Sequence, residues 1–333
     1  MIPPILIAGP TAAGKSEIAL LLAEQLGGEI ISADSMQVYR GLDLGTAKPA
    51  AAERARVPHH LIDICDLAES FDAARFATLA KQAVAEIQAR GRTPILCGGT
   101  GLYFKAFLEG VGAAPPADPV LRGALERLPL ETLLAELRER DPVTFDRIDR
   151  QNPRRVIRAV EVIRLTGKPF SDQRAAWNSP GGGPSGPNPL FIGLLRSNSD
   201  LQTRINARVE GMFRAGLVAE TEQLLTRGLA QNPTALQAIG YRQVVEYLGR
   251  ESRSPAALAE TIELVKIRTR QFAKRQRAWF RRHGNPVWIE LKPAEPPGLV
   301  AERLVRQFRG GWPASICGKN SCCDKFCQSG IMA

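Results

Sequence analysis

A glycine-rich motif near the N-terminus constrains the fold of this chain more than any other feature. Residues 9–16 read Gly-Pro-Thr-Ala-Ala-Gly-Lys-Ser and match the pattern G-x-x-x-x-G-K-[ST]. The motif follows a short apolar run, Ile5–Ala8, and opens a segment, Ser16–Leu26, whose apolar residues recur at helical spacing. A strand, a glycine loop and a helix in this order are the context in which the pattern binds phosphate. We therefore predict a site for a di- or triphosphate, without implying that a nucleotide is hydrolysed.

Each residue type in the loop has a physical role. Glycines let backbone N–H groups close around phosphate oxygens, and the helix N-terminus adds its partial positive charge. Lys15 supplies a full positive charge, and the hydroxyl of Ser16 is a candidate ligand of Mg²⁺. The residues predicted to hold the phosphates are Gly9, Pro10, Thr11, Ala12, Ala13, Gly14, Lys15 and Ser16.

The first part of the chain alternates short apolar runs with helical patterns. Further strands are predicted at Glu29–Ala33, Leu61–Ile64 and Pro94–Cys97, and a long amphipathic helix at Ala73–Arg90. Buried strands that alternate with helices indicate a parallel sheet covered on both faces.

The pattern changes near residue 112. A proline-rich linker leads into helices predicted at Leu130–Arg140 and Pro153–Thr166, and a glycine- and proline-rich loop at 179–189 precedes a strand at Leu190–Leu195. Further helices are predicted at about 200–215, 218–227, 234–248 and 255–282, with a last strand at Val287–Leu291. We predict an α/β fold in which a P-loop NTPase-like parallel sheet core (1–112 and 190–310) carries a helical insertion domain (113–189), and a disordered tail at 311–333.

Charge and composition narrow the classes of partner. The chain has 333 residues, a net charge of +10 and an isoelectric point of about 9.6, a balance that favours polyanionic partners. It lacks a run of about 18 apolar residues and begins without a basic leader region, so we expect neither a membrane span nor a signal peptide. Cytoplasmic localisation is the resulting expectation.

Basic residues cluster in a late segment of the chain. Residues 266–282 contain eight cations among seventeen residues and no acid. On a helical wheel, Lys266, Arg270, Lys274, Arg277 and Arg281 fall on one stripe, while Phe272 and Trp279 lie on a separate apolar line. A solvated face is the ordinary explanation of such a run, but the missing acidic neighbours favour nucleic-acid binding.

Two polar residues directly follow predicted strands. Asp34 follows the second strand, where it could bind Mg²⁺ through a ligand of the ion, act as a general base or cap a helix. Thr100 follows the strand that ends in Gly98-Gly99, where its hydroxyl could reach a phosphate or a substrate, or cap the next helix. The residues alone leave these alternatives open.

Together these segments closely resemble the tRNA dimethylallyltransferases, the bacterial isopentenyl-diphosphate:tRNA transferases. The resemblance spans about residues 5–308 and is carried by Gly9–Ser16, Asp34–Arg40, Gly45–Pro49, Gly98–Tyr103, Gln151–Arg155, Gln237–Arg242 and Lys274–Arg281. P-loop kinases share the first of these motifs but neither Asp-Ser-Met-Gln-Val-Tyr-Arg nor the late basic helix.

The resemblance implies an activity. Such enzymes transfer a dimethylallyl group from dimethylallyl diphosphate to N6 of the adenosine immediately 3′ of the anticodon, and they require Mg²⁺. It implies that Lys15, Asp34 and Thr100 are catalytic, with Asp34 the general base, and that Arg204 and Arg208 lie near the diphosphate. It also implies a monomer that recognises the anticodon stem-loop. The residues it assigns to tRNA binding are Asp34, Ser35, Met36, Gln37, Thr100, Arg122, Gln151, Asn152, Pro153, Arg154, Arg155, Gln237, Ala238, Ile239, Gly240, Tyr241, Arg242, Lys274, Arg275, Gln276, Arg277, Ala278, Trp279, Phe280 and Arg281.

Two rival functions share the first motif. A small-molecule P-loop kinase would bind ATP at the loop and an acceptor hydroxyl at Asp34. A non-catalytic RNA-binding protein on a decayed P-loop fold would not need Lys15, Ser16 or Asp34, and the presence of all three argues against it.

The tail after residue 311 no longer resembles the bacterial family. It contains Cys317, Cys322, Cys323 and Cys327 without a histidine, a spacing that fits no standard zinc site.

Overall fold

A computed structural model of the chain describes residues 2–173, 189–283 and 286–309. The described residues form two compact units. The first combines those up to Phe107 with those from residue 189 onward, and the second begins at Leu108. The predicted tail at 311–333, with its cysteines, and all but the last residue of the predicted loop at 179–189 lie outside the described residues.

The first unit is built on a six-stranded sheet of β1 (Ile5–Ala8), β2 (Gly28–Ala33), β3 (His59–His60), β4 (Thr93–Gly98), β5 (Leu190–Leu195) and β6 (Val287–Glu290). The strand order is β3-β2-β4-β1-β5-β6, and every neighbouring pair is parallel. β1, β2 and β4 are buried along their whole length, as is usual for strands of a parallel sheet that is covered on both faces. The predicted α/β fold with a parallel sheet is confirmed.

Helices connect the strands and form the second unit. They are α1 (Lys15–Leu26), α2 (Ala51–Arg56), α3 (Ala73–Ala89), α4 (Gly101–Glu109), α5 (Pro119–Leu125), α6 (Leu130–Arg140), α7 (Pro142–Arg147), α8 (Pro153–Thr166), α9 (Phe170–Gln173), α10 (Asn198–Arg214), α11 (Leu217–Thr226), α12 (Tyr241–Leu248), α13 (Pro255–His283) and α14 (Pro297–Arg309). Two short 3₁₀ helices lie at Leu229–Gln231 and Ala235–Gln237.

The predicted strand at Leu61–Ile64 is wrong. Leu61 and Asp63 have φ values of 61° and 55°, in the left-handed region that no strand adopts. The Asp63 carboxylate instead accepts a hydrogen bond from Lys48 Nζ at 2.6 Å, which holds the chain in a turn. The third strand is the short β3 just before it.

The single helix predicted at 234–248 is also wrong. Gly240, with a φ of 99°, separates the second 3₁₀ helix from α12. The side chain of Gln243 accepts a hydrogen bond from the Gly240 N–H at 2.9 Å and so takes up a donor at the start of α12. A glycine inside a helical pattern marks a break here because its conformation is closed to other residues.

The second unit has its own apolar core of Leu125, Leu133, Leu137, Val156 and Val160. The start of α8 is as predicted, because Asn152 Oδ1 accepts a hydrogen bond from the Arg155 N–H and Pro153 is the first helical residue. Within the described ranges, no helix is long and apolar enough to cross a membrane.

Candidate active site

The phosphate loop lies where β1 passes into α1. A Cβ on Gly9 would lie 2.6 Å from the Leu194 carbonyl oxygen, so only glycine lets the loop pass so close to β5. Gly14 stands immediately before α1 at a φ of 100°, and no side chain caps the helix there. The backbone N–H groups at the start of α1 therefore form an anion site.

Three cationic side chains converge on this loop. Lys15 Nζ donates to the Pro10 carbonyl at 2.8 Å, Arg204 Nε donates to the Ala12 carbonyl at 2.9 Å, and Arg208 lies 3.4 Å from the Thr11 hydroxyl. Burial lowers the pKa of Lys15 to about 8, and the charge of Arg208 also lowers it. Burial and the charge of Arg204 likewise lower the pKa of Arg208. A polyphosphate placed here would relieve this mutual repulsion.

Asp34 follows β2 and is half-buried. Its Oδ1 accepts hydrogen bonds from the backbone N–H groups of Met36, at 2.8 Å, and Gln37, at 3.4 Å. Residues 35–38 form turns, so Asp34 caps a turn, and the helix cap, one of the three alternatives that the sequence left open, is not formed. Burial raises the pKa of the Asp34 carboxyl above its ordinary value, although these hydrogen bonds and the charge of Lys15 oppose the shift. A raised pKa suits a carboxylate that accepts a proton.

Thr100 lies beside Asp34 at the end of β4. Its backbone N–H donates to the Ala33 carbonyl at 3.2 Å, and its hydroxyl accepts a hydrogen bond from the Ser35 N–H at 3.1 Å. The hydroxyl is thus directed at the chain that follows β2, where it contacts the residue next to Asp34.

The loop and the carboxylate share one cavity of about 430 Å³. Lys15, Ser16, Asp34, Arg204 and Arg208 all line it. Apolar side chains, including Leu20, Leu21 and Phe272, form other parts of the wall. The cavity therefore offers cations, a proton acceptor and apolar surface to one ligand.

The donors present fit a Mg²⁺ ion. Among the residues that the structure describes, no group of three or more His, Cys, Asp and Glu side chains could hold a metal. Mg²⁺ bound with a polyphosphate needs no such cage, because phosphate oxygens and water supply most of its ligands. The exposed hydroxyl of Ser16, which lines the cavity, is a suitable ligand.

Two residues that sequence reasoning did not assign to the loop also bind it. Arg196, which is 5% exposed, donates to the Ala13 carbonyl at 2.9 Å and pairs with Asp200 at 2.8 Å. Gln276 accepts a hydrogen bond from the Thr11 N–H at 2.8 Å and donates one to the Gly99 carbonyl at 2.9 Å. No local pattern marks either residue, since each contact joins distant parts of the chain.

A clamp holds the segment that follows Gln37 against the cavity. The buried hydroxyl of Tyr241 donates to Glu220 and accepts a hydrogen bond from the Gly45 N–H at 3.0 Å. A Cβ on Gly45 would lie 2.4 Å from the Tyr241 ring, which explains the glycine. Gln37 Nε2 donates to the Thr46 carbonyl at 3.2 Å, and Thr46 lines the cavity.

The basic stripe on α13 is not the open face that the helical wheel suggests. Lys266 is buried and pairs with Glu210 and Glu263, each at 2.7 Å. Hydrogen bonds join Arg270 to Asn206 at 2.8 Å and Arg277 to Asn198 at 2.7 Å, so this stripe contacts α10. The exposed cations of the helix in the motif region are Lys274, Arg275 and Arg281.

Several residues predicted to bind tRNA are buried, and two of them, Gln37 and Gln276, line the cavity. The buried members are Gln37, Ala238, Gly240, Tyr241, Gln276 and Phe280. Phe280 packs edge-on against Phe104, with ring centroids 5.6 Å apart, and Trp279 packs over Gly101. Half-buried or exposed members are Ser35, Met36, Gln237, Ile239, Arg242 and Ala278.

In the second unit, the predicted RNA contact Arg122 is also a partner of a buried carboxylate. Glu161 is completely buried, and its carboxylate pairs with Arg122 and with Arg158, each at 2.7 Å. The two arginines offset the charge of a carboxylate that is removed from solvent inside the unit. Gln151, Pro153, Arg154 and Arg155 are exposed, and Asn152 is half-buried.

A parallel sheet whose first strand leads into a phosphate loop, with a carboxylate after the second strand of the chain that lines the same cavity, defines a P-loop protein with a group-transfer site. The chain belongs to the IPP transferase family, whose sequence profile it matches over residues 37–283. The resemblance found in its motifs is thereby confirmed.

Individual relatives match most of the chain. It is 47% identical to tRNA dimethylallyltransferase 1 of Trichlorobacter lovleyi over 289 residues, a match that covers 86% of this chain and 92% of that protein. It is 43% identical over 312 residues to the tRNA dimethylallyltransferase of Corynebacterium urealyticum, covering 92% of each.

Solved structures agree. The full-length tRNA isopentenylpyrophosphate transferase of Bacillus halodurans matches with a TM-score of 0.65 and 37% identity, covering 93% of this chain and 98% of that one. A eukaryotic dimethylallyltransferase acting on tRNA matches with a TM-score of 0.75 and 27% identity, covering 94% of this chain and 81% of that one.

Proposed function

We propose that the chain transfers a dimethylallyl group from dimethylallyl diphosphate to N6 of the adenosine immediately 3′ of the anticodon of tRNA, with release of pyrophosphate. The observation that carries the proposal is the shared cavity, in which Asp34 and the phosphate loop face one ligand space. One end suits a diphosphate leaving group and the other suits the proton of an attacking amine.

The cations of the loop serve the leaving group. As the bond between C1 of the prenyl group and the bridging oxygen breaks, negative charge develops on pyrophosphate. Lys15, Arg204 and Arg208 stand around the loop and stabilise that charge with the N–H groups at the start of α1. Ser16 would help to hold a Mg²⁺ ion, which when bound adds further positive charge at the diphosphate.

Asp34 serves the nucleophile. Adenine N6 is weakly nucleophilic because its lone pair is delocalised into the ring. N6 forms the new bond to C1, and Asp34 accepts the proton that N6 loses. Thr100 keeps the carboxylate in place through Ser35. The adenine must leave its stack to enter the cavity, as bases do in other enzymes that modify them.

The exposed cations serve the tRNA backbone. Lys274, Arg275 and Arg281 on α13 are proposed phosphate contacts of the first unit, and Arg154 and Arg155 those of the second. We propose that the enzyme acts as a monomer in the cytoplasm, where tRNA and prenyl diphosphates are available together.

The decisive test incubates the purified chain with unmodified tRNA, dimethylallyl diphosphate and Mg²⁺, followed by mass spectrometry of the nucleosides. We expect adenosine heavier by one dimethylallyl group next to the anticodon, together with pyrophosphate in equal amount. A Lys15→Ala variant is the matched control and should lose both products. ADP formed from ATP, with unmodified tRNA, would instead identify a kinase.

A further inference from the structure

Gln276 lies between the exposed cations of α13, the proposed RNA contacts, and the phosphate loop, the proposed diphosphate site. It lies on α13 between the exposed cations Lys274, Arg275 and Arg281, yet its own side chain is buried and lines the cavity. Its amide oxygen accepts the Thr11 N–H at 2.8 Å, and its amide nitrogen donates to the Gly99 carbonyl at 2.9 Å. One side chain of the basic helix thus joins the phosphate loop to the loop that carries Thr100.

We infer that Gln276 is a positioning residue that couples RNA binding on α13 to diphosphate binding at the phosphate loop. The inference rests on the proposed function, since it takes the exposed cations of α13 as RNA contacts. It assigns to Gln276 a role other than direct contact with RNA, since its amide oxygen and its amide nitrogen each bind a backbone atom of one of the two loops.

The packing around Gln276 is too tight to absorb a shift of the helix. A Cβ on Gly99 would lie 2.2 Å from Gln276 Nε2, so the glycine permits the close approach. One turn further along, a Cβ on Gly101 would lie 2.1 Å from the Trp279 ring. A displacement of α13 therefore moves these loops or breaks the two hydrogen bonds, because packed interiors do not deform freely.

The coupling arises from two states of this contact. With Gln276 engaged, the Thr11 N–H is held and the loop keeps the conformation that α1 requires for anion binding. With Gln276 released, the loop must be ordered when the diphosphate binds, which weakens binding. RNA phosphates on Lys274 and Arg275 fix α13 in the engaged position. By linkage, each ligand then strengthens binding of the other by the same factor.

The test uses the full chain and measures pyrophosphate binding with Mg²⁺ by calorimetry, with and without saturating tRNA. In the wild type we expect affinity to rise at least about fivefold when tRNA is present, the lower end of ordinary coupling. Gln276→Met keeps the volume of the side chain and removes both hydrogen bonds, so the ratio should fall to about one by the same linkage. If the Met variant folds poorly, Gln276→Asn replaces it. Asn keeps the polar groups but is too short to reach both loops, so the affinity ratio should again fall to about one.

The matched control is Gln271→Met, the same substitution at an exposed site on the same helix. It should keep the wild-type ratio. A purely structural role for Gln276 would weaken pyrophosphate binding equally with and without tRNA, and the unchanged ratio would overturn the inference. A wild-type ratio of one would overturn it too. Failure of the proposed function would appear in a different measurement: the protein would bind tRNA and pyrophosphate but would not transfer a dimethylallyl group.

Discussion

The hydroxyl of Thr100 accepts a hydrogen bond from the backbone N–H of Ser35, with 3.1 Å between nitrogen and oxygen. The bond joins the carboxyl ends of β4 and β2, and the Thr100 N–H adds a second link to the Ala33 carbonyl at 3.2 Å. Asp34 stands between the two residues that are held. The position of the proposed base is therefore set by backbone contacts on both sides, independently of its own charge.

Asp34→Asn separates the chemical role from the structural one. An asparagine oxygen can still accept the Met36 N–H, so the turn should persist, but the amide cannot take a proton from N6. We expect the single-turnover rate with saturating substrates to fall by at least about 10²-fold, the low end for a lost general base. Asp66→Asn, at an exposed surface pair with Arg40, should leave the rate unchanged. An Asp34→Asn rate within a few-fold of the wild type would leave Asp34 a turn cap only.

The pH dependence of the same step follows from the pKa of Asp34. Burial raises that pKa, and the carboxyl must be ionised to accept the proton. The single-turnover rate should therefore fall on acidification at a higher pH than an exposed aspartate would give. A rate profile that stays flat down to the ordinary aspartate range would contradict this assignment.

Lys15 makes diphosphate affinity depend on pH at the alkaline side. Its pKa is lowered to about 8, chiefly by burial, so the free protein loses this charge above that pH. A bound diphosphate favours the charged form, so binding above the pKa takes up a proton and affinity should fall by up to about tenfold per pH unit. Calorimetry in buffers of different ionisation enthalpy measures the uptake. Lys15→Gln should bind weakly and show neither the slope nor the uptake.

The sequence was sufficient to predict what depends on neighbours along the chain. Short apolar runs predicted the buried strands, and the glycine loop between β1 and α1 predicted the cavity wall that carries Lys15. Asp34 and Thr100 were found because residues that follow parallel strands meet at one edge of a sheet. These signals are local, so they can be read from the sequence without any knowledge of tertiary structure.

Contacts between distant segments explain what was missed. A helical wheel treats Gln276 like any other polar residue of α13, whereas its partner Thr11 lies at the other end of the chain. The wheel also placed Lys266 on an open stripe, because Glu263 stands just outside the basic run and Glu210 belongs to α10. Partners supplied by another helix are invisible to periodicity, so the stripe was assigned to RNA when part of it packs on protein.

The exposed and the paired cations of α13 should differ in their effect on tRNA binding. Lys274→Ala, Arg275→Ala and Arg281→Ala together should weaken binding and reduce the slope of log K against log salt by about 0.7–0.9 for each lost phosphate contact. Lys266→Met removes a cation already paired with Glu210 and Glu263, so the slope should stay as in the wild type. If Lys266→Met reduced the salt slope as much as the loss of an exposed cation does, Lys266 would also have to contact RNA, as the helical wheel suggests.

Glu161 should stabilise the second unit more than any exposed ion pair. Its carboxylate is completely buried between Arg122 and Arg158. Glu161→Ala removes the acceptor that the two arginines share with the Asp118 N–H, so we expect the free energy of unfolding to fall by about 1–3 kcal/mol. Glu136→Ala, at a more exposed pair with Arg164, should cost less. Denaturant unfolding followed in the two variants measures the difference, and equal losses would contradict the assignment.

The clamp at Tyr241 should affect the cavity as well as stability. Tyr241→Phe leaves the Gly45 N–H without its acceptor and Glu220 without the phenol donor, a loss of about 1–3 kcal/mol. Because this segment continues into Thr46, which lines the cavity, we also expect the KM for dimethylallyl diphosphate to rise several-fold. Tyr247→Phe on the same helix removes a hydrogen bond to the Arg253 carbonyl at 3.1 Å, which no part of the cavity shares. It should lower the melting temperature comparably and leave KM unchanged, and a matching rise in KM would show that the effect of Tyr241→Phe comes from general loosening of α12.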